Sequence, residues 1–223
     1  MLPIRDHQRA SKTPILTYLI IVVNILVFLI ELASPDDFIF QYALIPVLVN
    51  FGSLQTLTPF ITSQFLHAGF LHIISNMWFL NIFGDNVEER FGKLLYLPIY
   101  LISGVVGAVS QYLLSPGSDI PMLGASGAVA GVLGAYLVFF PRHTVETLIP
   151  FGFFSQIVNL PASVILIYWF VIQFFSGVGS IAVAQVGGVA WFAHIGGFAT
   201  GWLIAKVFPN KVGDVEKGEI LDI

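Results

Sequence analysis

The chain has 223 residues, 57% of them hydrophobic and only 10% charged, with a formal net charge of −4. A soluble domain carries about 25% charged residues. Together with a mean hydropathy of +0.88, this excludes an ordinary water-soluble globule and points to a polytopic membrane protein with one compact membrane domain. The chain has no cysteine, which removes disulfides, thiolate metal sites and cysteine nucleophiles. The bilayer is the expected surrounding, and no nucleic-acid partner is expected.

In chain order, residues 1–13 form a polar, basic N-terminal segment. The apolar run after them is a full span long, not the short core of a cleavable signal. Residues 14–33 are the first expected span, with Asn24 and Glu31 as its polar members. A long loop, 34–57, carries Asp36 and Asp37. Residues 58–67 are apolar but interrupted, as in a segment lying partly in the membrane. The second span covers 69–84 and continues as helix towards Arg90, and the third covers 94–114. A short loop, 115–123, leads to the fourth span, 125–140, stopped by Pro141. Residues 142–160 read as a mixed, interfacial connection. Pro161, well placed as a first helical residue, opens the fifth span to about residue 175. A Gly-rich loop, 176–188, and a sixth span, 189–208, follow. Residues 209–223 are a charged tail.

Charge placement orients these spans. Alternating six spans puts all nine basic residues on one face and leaves Asp36, Asp37 and Asp119 on the other. By the positive-inside rule both termini are then cytoplasmic; a seventh span would break the segregation. The expected fold class is therefore all-α, a six-helix membrane bundle over 14–208.

Polar groups inside spans are costly and read as functional by default. His67, His72 and Asn76 lie at the start of the second span, Ser126 opens the fourth, and His194 lies early in the sixth. At a rise of 1.5 Å per helical residue, Ser126 stands roughly 24 Å above Arg142, Asn76 roughly 21 Å and His72 roughly 27 Å above Arg90, and His194 roughly 18 Å above Lys206. In a hydrocarbon core about 30 Å thick these groups share one outer depth, on three helices that run the same way. Such a set suits acyl transfer. His194 is a candidate general base for the Ser126 hydroxyl. Ser126 stands at a helix N-terminus, whose unpaired N–H groups favour an oxyanion. His72 and Asn76, four apart, share a helix face and are candidate donors to the same oxyanion. Gly124 and Gly127 leave room beside the serine. No Asp or Glu lies at this depth in the second, fourth or sixth span, so the candidate is a Ser–His dyad and not a triad.

Blander readings compete. A serine among Gly and Ala is usually a packing residue, and a membrane histidine more often pairs with a polar neighbour than does chemistry. Gly127 with Gly131, and Gly197 with Gly201, are small-residue pairs that dock helices; docking the fourth and sixth spans would itself bring Ser126 towards His194. His67 reads as an interfacial residue or a second-layer or water-channel group, Asn24 and Glu31 as residues making interhelical or interfacial hydrogen bonds, Trp191 as an interfacial anchor, and His7 and His143 as solvated. Glu88, Glu89 and Arg90 form a charged helix end, with Glu88 or Arg90 a candidate brace. No metal site is expected, since no His-Glu-x-x-His pattern occurs and no acid at membrane depth completes a ligand set; no cofactor is expected either.

These residues resemble the rhomboid intramembrane serine proteases. The likeness covers residues 58–207. It rests on His67-x4-His72-x3-Asn76, on Gly84-x3-Glu88 with Phe91-Gly92, on Gly124-Ala125-Ser126-Gly127, and on Ala193-His194-Ile195-Gly196-Gly197-x3-Gly201. The resemblance implies a six-helix fold with a cavity open to the extracytoplasmic side, in the plasma membrane of a prokaryote. It implies Ser126 as nucleophile, His194 as base, and His72, Asn76 and the Ser126 N–H as the oxyanion hole. Substrates would be membrane-anchored proteins cut in or near a transmembrane helix. The fifth span and the 176–188 loop correspond in position to the family's mobile substrate gate. Two departures stand out. Where some members stack a Tyr on the catalytic histidine, this chain has Ala130, and loop 34–57 lacks the Trp-Arg pair found in others. Two non-proteolytic alternatives remain: a membrane chaperone or adaptor that binds transmembrane helices without cutting them, and a small transporter, which no inverted repeat or carboxylate cluster supports.

Overall fold

The computed structural model describes residues 1–35, 37–151, 154–181 and 189–208. It is mostly helical. The elements, in order, are β1 (Leu2–Asp6), α1 (Ile15–Ala33), α2 (Asp37–Tyr42), a 3-10 turn at Pro46–Leu48, α3 (Leu54–Leu57), α4 (Pro59–Thr62), a second 3-10 turn at Ser63–Phe65, α5 (Phe70–Phe91), α6 (Lys93–Leu114), α7 (Ser126–Phe139), β2 (Thr144–Phe151), β3 (Phe154–Pro161), α8 (Ala162–Ile181) and α9 (Trp191–Val207).

Among the described residues, three helices are long and apolar enough to cross a membrane: Ile15–Ala33, Lys93–Leu114 and Ala162–Ser180. The other long helices fall short for separate reasons. The last turns of α5 carry Asp85, Glu88, Glu89 and Arg90, while α7 and α9 have 14 and 17 residues, below the roughly 20 that a straight crossing needs.

Glycine determines how closely the central helices approach. A Cβ on Gly197 would collide with the Gly127 carbonyl, one on Gly201 with the Gly131 carbonyl, and one on Gly134 with the Phe198 carbonyl. Backbone therefore packs on backbone over residues 127–134 of α7 and 197–202 of α9, as small-residue stripes allow in lipid, where helix association depends on van der Waals contact. α6 joins them through Gly107, which lies against the Ala193 carbonyl. Gly92, at φ 75°, turns the chain from α5 into α6 within a single residue.

The buried carboxylate of Glu88 accepts hydrogen bonds from the backbone N–H groups of Leu16 (3.0 Å) and Thr17 (2.7 Å) and from the Thr17 hydroxyl (2.8 Å). No residue within α1 caps its N-terminus; an acid from α5 does so instead, where unpaired donors and the helix dipole favour negative charge. Glu88 is thus the brace that the sequence suggested.

The all-α expectation needs correction. Strands β1, β2 and β3 form an antiparallel sheet in that order. Residues 1–13 are not simply a polar lead-in, and 142–160 are not an irregular connection. The cause is a two-residue period within residues 144–161. Val145 and Thr147 are fully buried, while Glu146 points outward and pairs with Arg5 across the strands at 2.8 Å. Alternation with β-branched residues favours a strand. Asp6, 2% exposed, sits at the centre of this attachment. Its carboxylate accepts from Asn86 Nδ2 (2.8 Å), from the Gln8 N–H (2.9 Å) and from the Tyr136 hydroxyl. His143, expected in solvent, is instead partly buried, with Nδ1 3.1 Å from Tyr136 Oη and 3.6 Å from Asp6 Oδ2. His7 lies in the sheet region, 3.2 Å from Asn159.

Helix α8 runs to Ile181, so residues 176–181, expected in a loop, are helical. The remainder of that loop to 188 and the tail 209–223 lie outside the described residues, as does Asp36.

Candidate active site

Ser126 is the first residue of α7, following Ala125 as N-cap. Its own N–H is among the donors that a helix leaves without an internal acceptor. The loop before it is held at three points. The Gly124 N–H donates to the Ser63 carbonyl (2.9 Å), Leu44 and Met122 exchange both backbone hydrogen bonds (3.0 and 2.8 Å), and the Val47 N–H donates to Ser118 (3.0 Å). Loop 34–57, which has no Trp-Arg pair, is anchored by this short bridge.

Gly124 has φ +124°, a conformation that suits glycine and strains other residues. A Cβ here would lie 2.7 Å from both Cε1 and Nε2 of His72 and 3.6 Å from Ser126 Oγ. The imidazole edge of His72 and the serine hydroxyl thus flank the same point in space. His72 Nδ1 lies 3.4 Å from the Ala68 backbone nitrogen, a contact that favours the tautomer with its proton on Nε2, the nitrogen that faces Gly124.

His194 lies one turn into α9, 8% exposed. Its Nε2 is 2.7 Å from Ser126 Oγ, and its Nδ1 is 2.6 Å from Oε1 of Gln173 on α8. The Trp169 ring, also on α8, lies 5.8 Å from the imidazole centroid at 33°, and Trp191 meets it edge-on at 6.3 Å. Ala130 is fully buried. The aromatic contact that Ala130 cannot give the His194 ring comes here from Trp169 of α8.

The structure therefore brings Ser126, His194 and His72 together at the shared beginnings of α7, α9 and α5. Asn76 is different. It is buried on the face of α5 that carries His72, and its amide donates to the His72 carbonyl at 3.1 Å, one turn back along the helix. His67 is 1% exposed and stands edge-on to His72 at 5.1 Å, and both its ring nitrogens are buried without a protein partner. The Glu31 carboxylate accepts from the His67 N–H (3.1 Å), which ties α1 to the segment that precedes α5. Asn24 donates to the Ile20 carbonyl within its own helix (2.8 Å).

Sequence reasoning missed Gln173 and Trp169. The signal was present, since Gln173 is the one amide in the run 162–181, and a lone polar side chain in an apolar span usually has a partner. Among the described residues no group of three or more His, Asp or Glu side chains is placed to hold a metal ion.

Comparison with known proteins agrees with this architecture. The Rhomboid domain family model matches residues 54–211. RHOMBOID-like protein 6, mitochondrial, from Arabidopsis thaliana is 33% identical over 147 residues, covering 66% of this chain and 42% of that protein. RHOMBOID-like protein 4 from the same plant is 35% identical over 147 residues, covering 66% and 33%. Rhomboid protease GluP from Bacillus subtilis is 34% identical over 152 residues, covering 60% and 27%. The chain matches less than half the length of each of these relatives. It belongs to the rhomboid family and, with its apolar helices, is an integral membrane protein. Bacterial relatives carry the name of rhomboid proteases.

Proposed function

We propose that this chain is an intramembrane serine endopeptidase that cleaves membrane-anchored proteins within or near a transmembrane helix. The observation that carries the reading is the 2.7 Å contact between Ser126 Oγ and His194 Nε2, inside a buried site at three helix beginnings. In this reading the Ser126 hydroxyl attacks the scissile carbonyl while His194 Nε2 takes its proton. The negative charge that develops on the carbonyl oxygen is met by the Ser126 N–H, the His72 Nε2–H and the Asn76 amide, the last after turning from the His72 carbonyl. The intermediate then collapses, the C–N bond breaks, and His194 returns its proton to the leaving amine. Water, deprotonated by the same imidazole, hydrolyses the acyl-Ser126 ester and restores the hydroxyl. No cofactor or metal enters this scheme.

The proposal extends to topology. Residues 14–208 cross the membrane six times, 1–13 and 209–223 are cytoplasmic, and the site opens to the extracytoplasmic side of a prokaryotic plasma membrane. The segregation of all nine basic residues supports this orientation.

The test is cleavage of a membrane-anchored substrate by purified protein in liposomes, together with labelling by a fluorophosphonate. Ser126→Ala and His194→Ala are each expected to lower cleavage by at least about 10³-fold, and Ser126→Ala to abolish labelling. Undiminished cleavage by Ser126→Ala would overturn the proposal; substrate capture without cleavage in the wild type would favour a binding protein instead.

A further inference from the structure

We infer that Gln173 is a positioning residue that sets the tautomer of His194 and makes the base depend on the docking of α8. The inference rests on the reading of Ser126 and His194 as nucleophile and base. A neutral imidazole carries a single N–H. The amide oxygen Oε1 of Gln173 accepts but does not donate, and it lies 2.6 Å from Nδ1. The ring proton is therefore held on Nδ1, and the lone pair of Nε2 faces Ser126 Oγ at 2.7 Å. In a Ser-His-Asp triad an aspartate performs this task and adds a negative charge; a glutamine supplies the orientation without the charge.

Trp169 stands four residues before Gln173 and shares its helix face. One face of α8 thus gives His194 an acceptor at the ring edge and an aromatic ring 5.8 Å from its centroid. The same face docks on α9 through Phe170, whose ring lies 4.7 Å from that of Phe198. The opposite side of α8 exposes Ile167, Val171, Phe174 and Val178. Gln173 is 7% exposed, so bulk water is not at hand to replace its oxygen. When α8 moves away from α9, acceptor and stacking partner leave together, and Nδ1 and Nε2 can exchange roles. The base is then correctly oriented only while α8 is docked.

Other groups around the ring do not supply this control. Among the described residues, His72 on α5 is the titratable group that interacts electrostatically with His194. From α6, Ser110 lies against Gly196 and Gln111 accepts from the Phe192 N–H; both are neutral, as is Ser126 on α7.

The experiment measures kcat and KM against pH in liposomes for wild type, Ser126→Ala, Gln173→Leu and Gln173→Glu. Gln173→Leu is expected to lower kcat about 10–100-fold with KM little changed, as for a group acting on the chemical step. Gln173→Glu restores the acceptor and adds a charge that favours the protonated ring. Most of kcat should return, and the acidic limb of the pH–rate profile should move up by about one pH unit. A glutamine that merely glued α8 to α9 would cost stability in Gln173→Leu and leave kcat per folded molecule at the wild-type value. Wild-type kcat in Gln173→Leu, an unmoved limb in Gln173→Glu, or loss of folding in both variants overturns the inference. If Gln173→Leu alone fails to fold, the limb of Gln173→Glu decides. Persistent cleavage by Ser126→Ala would instead sink the dyad reading itself.

Discussion

A single backbone angle sets the geometry around Ser126. Gly124 holds φ +124° and leaves vacant the point where His72 Cε1, His72 Nε2 and Ser126 Oγ converge. Alanine at this position meets two penalties, a strained backbone worth about 1–3 kcal/mol and a methyl group inside the contact distance of the imidazole. Gly124→Ala is expected to lower cleavage about 100-fold and to shift the thermal midpoint downward by a few degrees. Normal turnover in this variant would show that His72 and Ser126 need not share the space. The residue types of the site were legible in the sequence, because a serine or histidine in an apolar span stands out and the depths of Ser126, His72 and His194 agree. The partner of His194 was not. Gln173 lies on another helix, and the rotation of α8 that aims it at Nδ1 follows from packing against Phe198.

Among the helices, two devices act over longer distances. The Gly127–Gly197 and Gly131–Gly201 contacts join α7 to α9 and so determine that the first turn of each carries its side chain to the other. Their small-residue spacing was visible in the sequence because it repeats every four residues, one helical turn. The cap of α1 by Glu88 was visible only as a charged residue near a helix end. Its target lies 71 residues away at Thr17, and no local pattern indicates such a pairing. Glu88→Ala leaves the Leu16 and Thr17 N–H groups without an acceptor, while the Thr17 hydroxyl keeps Tyr96 Oη at 3.1 Å. Each such group costs about 1–3 kcal/mol, so unfolding in detergent should show a loss of about 2 kcal/mol or more, and Glu88→Gln a smaller loss. Unchanged stability in Glu88→Ala would mean that water reaches these donors.

Over the whole molecule, the two ends of the helical bundle differ. One end holds Ser126, His72 and His194. The other is tied by Asp6, which joins β1 to Asn86 at the end of α5 and to Tyr136 at the end of α7, while Trp78 Nε1 donates to the Pro3 carbonyl at 2.7 Å. Asp6→Ala is expected to destabilise the protein by about 2–4 kcal/mol, read as a lower thermal midpoint. Well below that midpoint kcat should stay within about twofold of wild type, because the substitution touches none of the groups at the other end. A large fall in kcat with unchanged stability would instead reveal coupling between the two ends.

By itself the sequence determined that the chain lives in a membrane, where most of its main helices start and stop, the end of α8 excepted, and which polar groups are set among them. Those properties follow from hydropathy, from run length against bilayer thickness, and from the cost of burying polarity, each of which acts locally along the chain. The tertiary structure alone decided that residues 2–6 pair with a hairpin 140 residues away, that α5 caps α1, and that α8 supplies the acceptor and the aromatic face for His194. These are contacts between segments far apart in sequence. They depend on how helices rotate and slide until backbones touch at glycine, and no periodicity within a single segment encodes that choice.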